Sequence, residues 1–517
     1  MARFDTPTHD PTRTPPWLGT LVLDHPIVSA AIALSLAAVT GVVVAVVAPL
    51  GPTTSGEALL VMAASAIVGS VGGRLVGSRW ILVPLLLVTI IAIELTRRDV
   101  GVPTVGPPRL DTPYGILALL LTRGVHGLLM VLPMALGVIV GRSFAPRQAR
   151  STTDRSTHRP IGSWLVGLAV IGLGLIVIWP PATPPIPGPD GLPVAGSLAE
   201  LTTVRLGDSD QTIMIRAVNP DAPVLLYLSG GPGQSDLALA RAQVGGWEQD
   251  LVFVDLDQRG NGKSYSALLP LSSVTLDQAV SDVIELTDYL RDRFDEDRIY
   301  LMGESWGTIL GVLAVQRRPD LYHAWIGSGQ MVDVVETDQR VYDDLLAYAA
   351  DAGDTALADK LREIGPPPYR DIPWANANLL AWYDHLYPSY TPSAGYLARG
   401  EASGLDSFGV LGSEYGFIEK TNVLRGLIDT FAILYPQLYD LDFRDSVPKL
   451  DVPVYQLDGG AELEARRSLA LEWFATLQAP SKQLITFEDA AHAVAFEQGD
   501  AVQRLLVESI IPATYRP

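Results

Sequence analysis

Gly303-Glu304-Ser305-Trp306-Gly307 carries the plainest chemistry in this chain: a G-x-S-x-G set between the apolar run Arg298–Met302 and an apolar stretch from Trp306 to Gln316. A serine on a sharp strand-to-helix turn presents its hydroxyl as a nucleophile, with the helix N-terminus favouring developing negative charge. Such a turn is crowded, and glycine two positions either side of Ser305 relieves it. The hydroxyl needs a base. After Ala195 the chain has three histidines, His323, His385 and His492. His492, in DAAHAVAF just past the apolar run KQLITF, stands where the order nucleophile, acid, histidine requires one. The acid is then expected in the loop after Val452–Leu457, which reads Asp458-Gly459-Gly460-Ala461-Glu462-Leu463-Glu464. Asp458 sits at the strand end and Glu464 opens the next helix, so Glu462 is the expected partner of His492, fixing its tautomer. Two backbone N–H donors must meet a developing oxyanion. Trp306 supplies one, and Ser229-Gly230-Gly231-Pro232-Gly233 the other, with Gly231 the first choice.

These groups need a scaffold. From Leu201 onward, short β-branched runs alternate with stretches of helical periodicity, the rhythm of a sheet wrapped by helices. Leu201–Leu206 and Gln211–Val218 read as a hairpin. Pro223–Leu228, Leu251–Leu256, Arg298–Met302, Tyr322–Ile326, Asp451–Leu457 and Gln483–Phe487 read as further strands. Residues 329–447 break the rhythm, are rich in aromatics, and are expected to form an inserted helical cap. Gly260-Asn261-Gly262-Lys263-Ser264 ends like a phosphate-binding loop, but the first glycine of that pattern is replaced by Asp257, so no nucleotide site is expected.

The first 179 residues read differently. Pro26–Leu50, Glu57–Gly77, Trp80–Ile93, Tyr114–Gly141 and Gly162–Trp179 are apolar runs suited to about five membrane-spanning helices. The arginines between Arg142 and Arg159, with Arg74 and Arg79, place their loops in the cytoplasm, which sends the chain after Trp179 to the outer side. Arg97, Arg98 and Arg109 then fall outside, against the trend. A re-entrant fourth run would change the parity and move the second half to the cytoplasm. Arg123 and His126 inside the fourth run mark either a polar pathway or an arginine snorkelling at a helix end. Residues 180–194, with seven prolines, are expected as a stiff extended spacer.

Composition agrees with this division. Up to Ala195 there are thirteen arginines, no lysine and nine acidic residues; beyond it 24 basic and 48 acidic residues remain, within an overall charge of −20. The acidic half offers no basic footprint for nucleic acid. With no cysteine, thiolate metal sites and a cysteine nucleophile are excluded. No metal-ligand cluster or dinucleotide fingerprint is evident, so neither metal nor cofactor is expected.

Gly230–Gly233 (GGPG), Asp257–Ser264 (DQRGNGKS), Gly303–Thr308 (GESWGT) and Ala490–His492 (AAH) together resemble the proline iminopeptidase family. The resemblance covers roughly residues 195–517. It implies an α/β-hydrolase fold with a helical cap, here preceded by a multi-span transmembrane region. It also implies hydrolysis of amides of small peptides with a free N-terminus, relatives including esterases. Two departures stand out: Ser229 replaces the usual histidine before GGPG, and Glu462 stands where the acid is usually aspartate. Family aminopeptidases bind the substrate amine with cap glutamates, for which Glu414 and Glu419 are the possible counterparts. The expected partners are a small peptide or ester and the lipid bilayer. The competing expectation, a non-catalytic receptor or scaffold, has no need for Ser305, His492 and a glycine-rich loop together.

Overall fold

A computed structural model describes residues 25–145, 161–369, 371–399 and 409–516. The basic loop bearing Arg147, Arg150, Arg155 and Arg159 lies outside the described residues. The chain divides into two compact units, Met1–Gly101 with Arg123–Ile178, and Val102–Thr122 with Trp179–Pro517.

Among the described residues, five helices are long and apolar enough to cross a membrane: Pro26–Val47, Ser55–Val76, Arg79–Arg97, Pro113–Ser143 and Ile161–Ile178. Within the first unit, Ser55–Val76 packs on Val125–Ser143 through small residues. A Cβ on Gly69 or Gly73 would strike the carbonyls of Met134 or Val138, and one on Gly137 or Gly141 those of Ala66 or Ser70. Backbones approach this closely only where side chains are absent, a common basis for helix pairing in lipid. Polar groups in this unit find partners. Arg123 Nε and Nη2 donate to Glu94 Oε1 and Oε2 at 3.0 and 2.8 Å. Arg97 Nη2 donates to the Ala48 carbonyl at 2.7 Å, and its Nη1 lies 3.2 Å from His126 Nδ1. Arg123 thus has its charge met by a fork-like ion pair with Glu94, both side chains partly exposed.

The second unit is built on eight strands: β1 (Leu198–Leu206), β2 (Ser209–Ala217), β3 (Val224–Leu228), β4 (Val252–Asp257), β5 (Ile299–Glu304), β6 (Tyr322–Ser328), β7 (Val454–Gly459) and β8 (Lys482–Phe487). Their order is β1-β2-β4-β3-β5-β6-β7-β8. The β1–β2 and β2–β4 pairs are antiparallel and the rest parallel. Strands β3 to β6 are buried along their whole length, which is why they read as continuous apolar runs rather than alternating ones. The sequence order reverses at β3, which lies between β4 and β5. The loops after β3 and β5 therefore open side by side at the carboxyl ends of the strands, where parallel sheets hold ligands. Between β6 and β7 the chain inserts a run of helices, the longest being Val334–Ala352 and Phe417–Leu434. This is the topology of a capped α/β-hydrolase.

Of residues 180–194, the stretch 180–186 has no regular structure, whereas Pro187 and Pro193 pair antiparallel across a tight turn, Val194 N donating to the Ile186 carbonyl at 3.0 Å, so the spacer doubles back and is docked within this unit. Arg216 Nη1 donates to Thr183 Oγ1 at 2.5 Å and to the Pro184 carbonyl at 2.7 Å, and Ala182 N donates to the Ser413 carbonyl at 2.9 Å.

Candidate active site

Ser305 closes β5 with φ 53° and ψ −120°, a conformation that L-residues with a Cβ rarely adopt. The surroundings hold it there. Ser305 N donates to the Ser328 carbonyl on β6 at 3.0 Å, and Thr308 Oγ1 donates to the Ser305 carbonyl at 2.5 Å. The flanking glycines are required by contact: a Cβ on Gly303 would meet the Gly307 carbonyl, and one on Gly307 the Leu228 carbonyl on β3. The strain is thus stored by two neighbouring strands, and the serine Cβ projects toward the Gly230 loop. Ser305 Oγ donates to the thioether of Met331 at 3.6 Å.

His492 lies beyond β8, and its Nδ1 is in close hydrogen-bond contact with Glu462 Oε2. The other oxygen of Glu462 accepts from Leu463 N at 2.7 Å and from Arg466 Nη1 at 2.8 Å. With Nδ1 engaged as donor, the Nε2 lone pair is left for a proton. Burial works against the charge on Glu462, but Arg466 and His492 outweigh it and hold the carboxyl at about 2. Of the three carboxylates in this loop, Asp458 is taken up by Arg467 at 2.8 Å and by Thr486 Oγ1 at 2.9 Å, and Glu464 is exposed in the first turn of its helix. Glu462 is the one brought to the imidazole. His323 packs with tilted rings against Tyr300 and Tyr515, and His385 stacks on Tyr348.

The glycine loop after β3 approaches the serine from the other side. Gly231 has φ +116°, open to glycine alone, and lines the cavity with Ser305. Gln258 ties this loop to the elbow. Its Oε1 accepts from Trp306 Nε1 at 2.8 Å, while its Nε2 donates to the Ser229 carbonyl at 3.1 Å and lies 3.2 Å from Ser229 Oγ. Ser229 is fully buried in this bridge. The DQRGNGKS run has a structural use as well. Gly260 takes φ +83°, and its carbonyl accepts from Thr430 Oγ1 at 2.9 Å; Lys263 Nζ lies 2.8 Å from Glu419 Oε2. The run therefore clamps the cap helix Phe417–Leu434 over the sheet.

Ser305, His492, Gly231, Met331 and Arg466 share a cavity of about 280 Å³. Its remaining wall is largely apolar, with Trp374, Leu380, Tyr383, Tyr387 and Phe431 from the cap. Among the described residues no Asp or Glu lines it. Glu414, expected as an amine ligand, is fully buried against Arg241 at 2.5 Å. Glu419 caps its helix by accepting from Gly416 N at 2.7 Å besides pairing with Lys263. Neither reaches the cavity. The arrangement provides a hydroxyl, an imidazole paired with a carboxylate and a glycine loop beside the serine, parts that acyl transfer uses.

Known proteins resemble the part of the chain that carries this site. The profile of the serine aminopeptidase family S33 matches residues 247–354. The probable aminopeptidase YbaC of Bacillus subtilis (strain 168) is 30% identical over 312 residues, covering 59% of this chain and 95% of that protein. Among solved structures, the proline iminopeptidase-related protein of Thermus thermophilus is 19% identical with a TM-score of 0.42, over 61% of this chain and 98% of that one. The proline iminopeptidase of Mycobacterium smegmatis is 17% identical with a TM-score of 0.38, over 60% and 97%. In its C-terminal part the chain thus belongs to the proline iminopeptidase-like family of α/β-hydrolases and is a hydrolase of the peptidase or esterase kind.

Proposed function

We propose that this chain is a membrane-anchored serine hydrolase that cleaves amide bonds of small peptides, in the manner of an aminopeptidase, or esters. The observation that carries the reading is the meeting of a strained Ser305 with His492, itself paired to Glu462, at one apolar cavity. In this mechanism Ser305 Oγ turns from Met331 toward His492 Nε2, which takes its proton as the oxygen attacks the substrate carbonyl. The tetrahedral oxyanion accepts hydrogen bonds from Gly231 N–H and Trp306 N–H. The imidazolium, stabilised by Glu462, returns the proton to the leaving amine or alcohol, and water then releases the acyl group by the same steps.

Five crossings, with the N-terminus cytoplasmic, put the catalytic unit on the outer side. Packing within that unit supports the parity. Val102–Thr122 follows the third apolar helix in sequence yet packs in the same unit as the chain after the fifth. With five crossings both stretches emerge on one face of the bilayer. A re-entrant fourth helix would separate them. On this account Arg109 is retained outside by its ion pairs with Asp111 and Asp371 rather than by the charge rule of cytoplasmic loops.

The test is fluorophosphonate labelling of the full chain in detergent, beside Ser305→Ala. Labelling lost in the variant is expected. A folded wild type that stays unlabelled would sink the catalytic reading and favour a non-catalytic receptor.

A further inference from the structure

Val102–Thr122 follows the third apolar helix and includes the first turns of the fourth, yet it is built into the catalytic unit. The attachment is deep. Thr104 N and Oγ1 donate to Asp429 Oδ1 and Oδ2 at 2.8 and 2.6 Å, and Tyr265 OH donates to the same carboxylate at 2.6 Å. Asp429 and Thr104 are both buried. A buried carboxylate met by three donors is a fixed point rather than a surface touch, because a buried polar group left unpaired loses its solvation without replacement. At the other end, Arg109 reaches Asp371 at 2.5 Å and lies 6.0 Å from the centre of the Trp374 ring. Thr112 then caps the helix Pro113–Leu119 by accepting from Gly115 N at 2.9 Å. Proline at the first helical position fixes the entry angle.

These constraints aim one side chain. Tyr114, in the first turn, lines the same cavity as Ser305 and His492. It packs with Ala118 against Trp374 and Ile428, two further lining residues. Asp429, which anchors the segment, belongs to the cap helix Phe417–Leu434 that brings Leu427, Ile428 and Phe431 to the cavity. The segment and the cap helix therefore form one wall, held by Asp429.

We propose that Tyr114 is a specificity-determining residue, its ring bounding the space for an apolar substituent on the substrate's scissile carbonyl. The proposal rests on Ser305 as nucleophile. It also makes the first turn of the helix Pro113–Leu119 part of the substrate site. The apolar lining from Tyr114, Trp374, Leu427, Ile428 and Phe431 suits aliphatic or aromatic substituents; a hydrophobic pocket discriminates them by volume, about tenfold or more per methylene-sized change.

The experiment uses the full chain in detergent. A small fluorophosphonate first reports whether Ser305 is activated. The kcat/KM ratio for p-nitrophenyl octanoate over acetate is then compared among wild type, Tyr114→Ala, Tyr114→Phe and Tyr114→Trp. Alanine should raise the ratio about tenfold and tryptophan lower it by a similar factor, while phenylalanine, which keeps the ring, should stay within about twofold of wild type. Labelling should persist in all three variants. If alanine and tryptophan both label but leave the ratio unchanged, the proposal is wrong and the serine reading survives. Should alanine alone fail to fold, an unchanged ratio in the tryptophan variant is enough to overturn it. An unlabelled, folded wild type overturns the serine reading, and this one with it.

Discussion

Arg466 Nη1 stands 2.8 Å from Glu462 Oε1, one helical turn along the chain, while the other oxygen of Glu462 holds His492. Both side chains are nearly excluded from water, so each is the main compensation for the other's charge. Arg466→Met should leave a buried carboxylate with only His492 and the Leu463 N–H to offset its desolvation. Glu462 in the folded state lies at about 2, below its ordinary 4.5, so its stabilisation is complete above about 4.5 and fades as pH falls toward 2. The variant should begin acid unfolding at a higher pH than wild type. Tryptophan fluorescence against pH checks this; superimposable acid transitions would refute the role given to Arg466.

Glu462→Gln keeps the size of the side chain but removes the charge that fixes the His492 tautomer. Its kcat should fall on the order of 10³–10⁴-fold with little change in KM, as expected when a triad acid is neutralised. Aspartate at this position, one methylene shorter, should recover part of the loss. Steady-state kinetics on one ester substrate decide the matter, and a loss below about tenfold would remove Glu462 from the proposed triad.

Gln258 joins the two proposed sources of oxyanion donors without lining the cavity. In Gln258→Leu, Trp306 Nε1 and the Ser229 carbonyl lose buried partners, each worth about 1–3 kcal/mol. The donors should loosen together, lowering kcat about tenfold and slowing fluorophosphonate labelling in proportion. KM should move much less, because the bridge acts on the transition-state oxygen. A variant with raised KM and intact kcat would place Gln258 in ground-state binding instead.

The parts of this site legible in the sequence are those whose chemistry is local. Gly303 and Gly307 announce the turn because crowding acts within two residues of Ser305, and His492 announces itself by following a strand. Arg466 was concealed, although a basic residue four positions after Glu462 on a helix is a readable signal. Tyr114 and Asp429 could not be found this way: Thr104 meets Asp429 across more than three hundred residues of chain, and no local pattern encodes that pairing. Glu414 and Glu419 mislead for the same reason, their partners Arg241 and Lys263 being supplied by tertiary packing.

Amine recognition by the cap glutamates can be tested directly. Glu419 is engaged by Lys263 and Gly416, away from the cavity, so Glu419→Gln should lower stability modestly, by about 1 kcal/mol or less for a partly exposed pair. The ratio of kcat/KM for an aminoacyl amide to that for its N-acetylated counterpart should remain within about twofold of wild type. A collapse of that ratio would restore Glu419 as an amine ligand.

Asp338 gives a prediction of opposite sign to Glu462. It sits buried behind the cavity wall, where it accepts from Tyr435 OH at 3.0 Å. Burial raises its carboxyl from 3.8 to about 7, against the lowering effects of Tyr435 and Arg466. Between those values the folded chain keeps a proton that the unfolded chain releases, so stability falls as pH rises from about 4 to 7. Asp338→Asn supplies a neutral acceptor for Tyr435 and needs no proton. It should therefore match wild type at pH 4 and exceed it at pH 8, the midpoint of thermal inactivation rising by roughly 2–4 °C for each kcal/mol recovered. Equal midpoints at both pH values would show that Asp338 is ionised in the folded protein, with Arg466 then sharing its charge between Glu462 and Asp338.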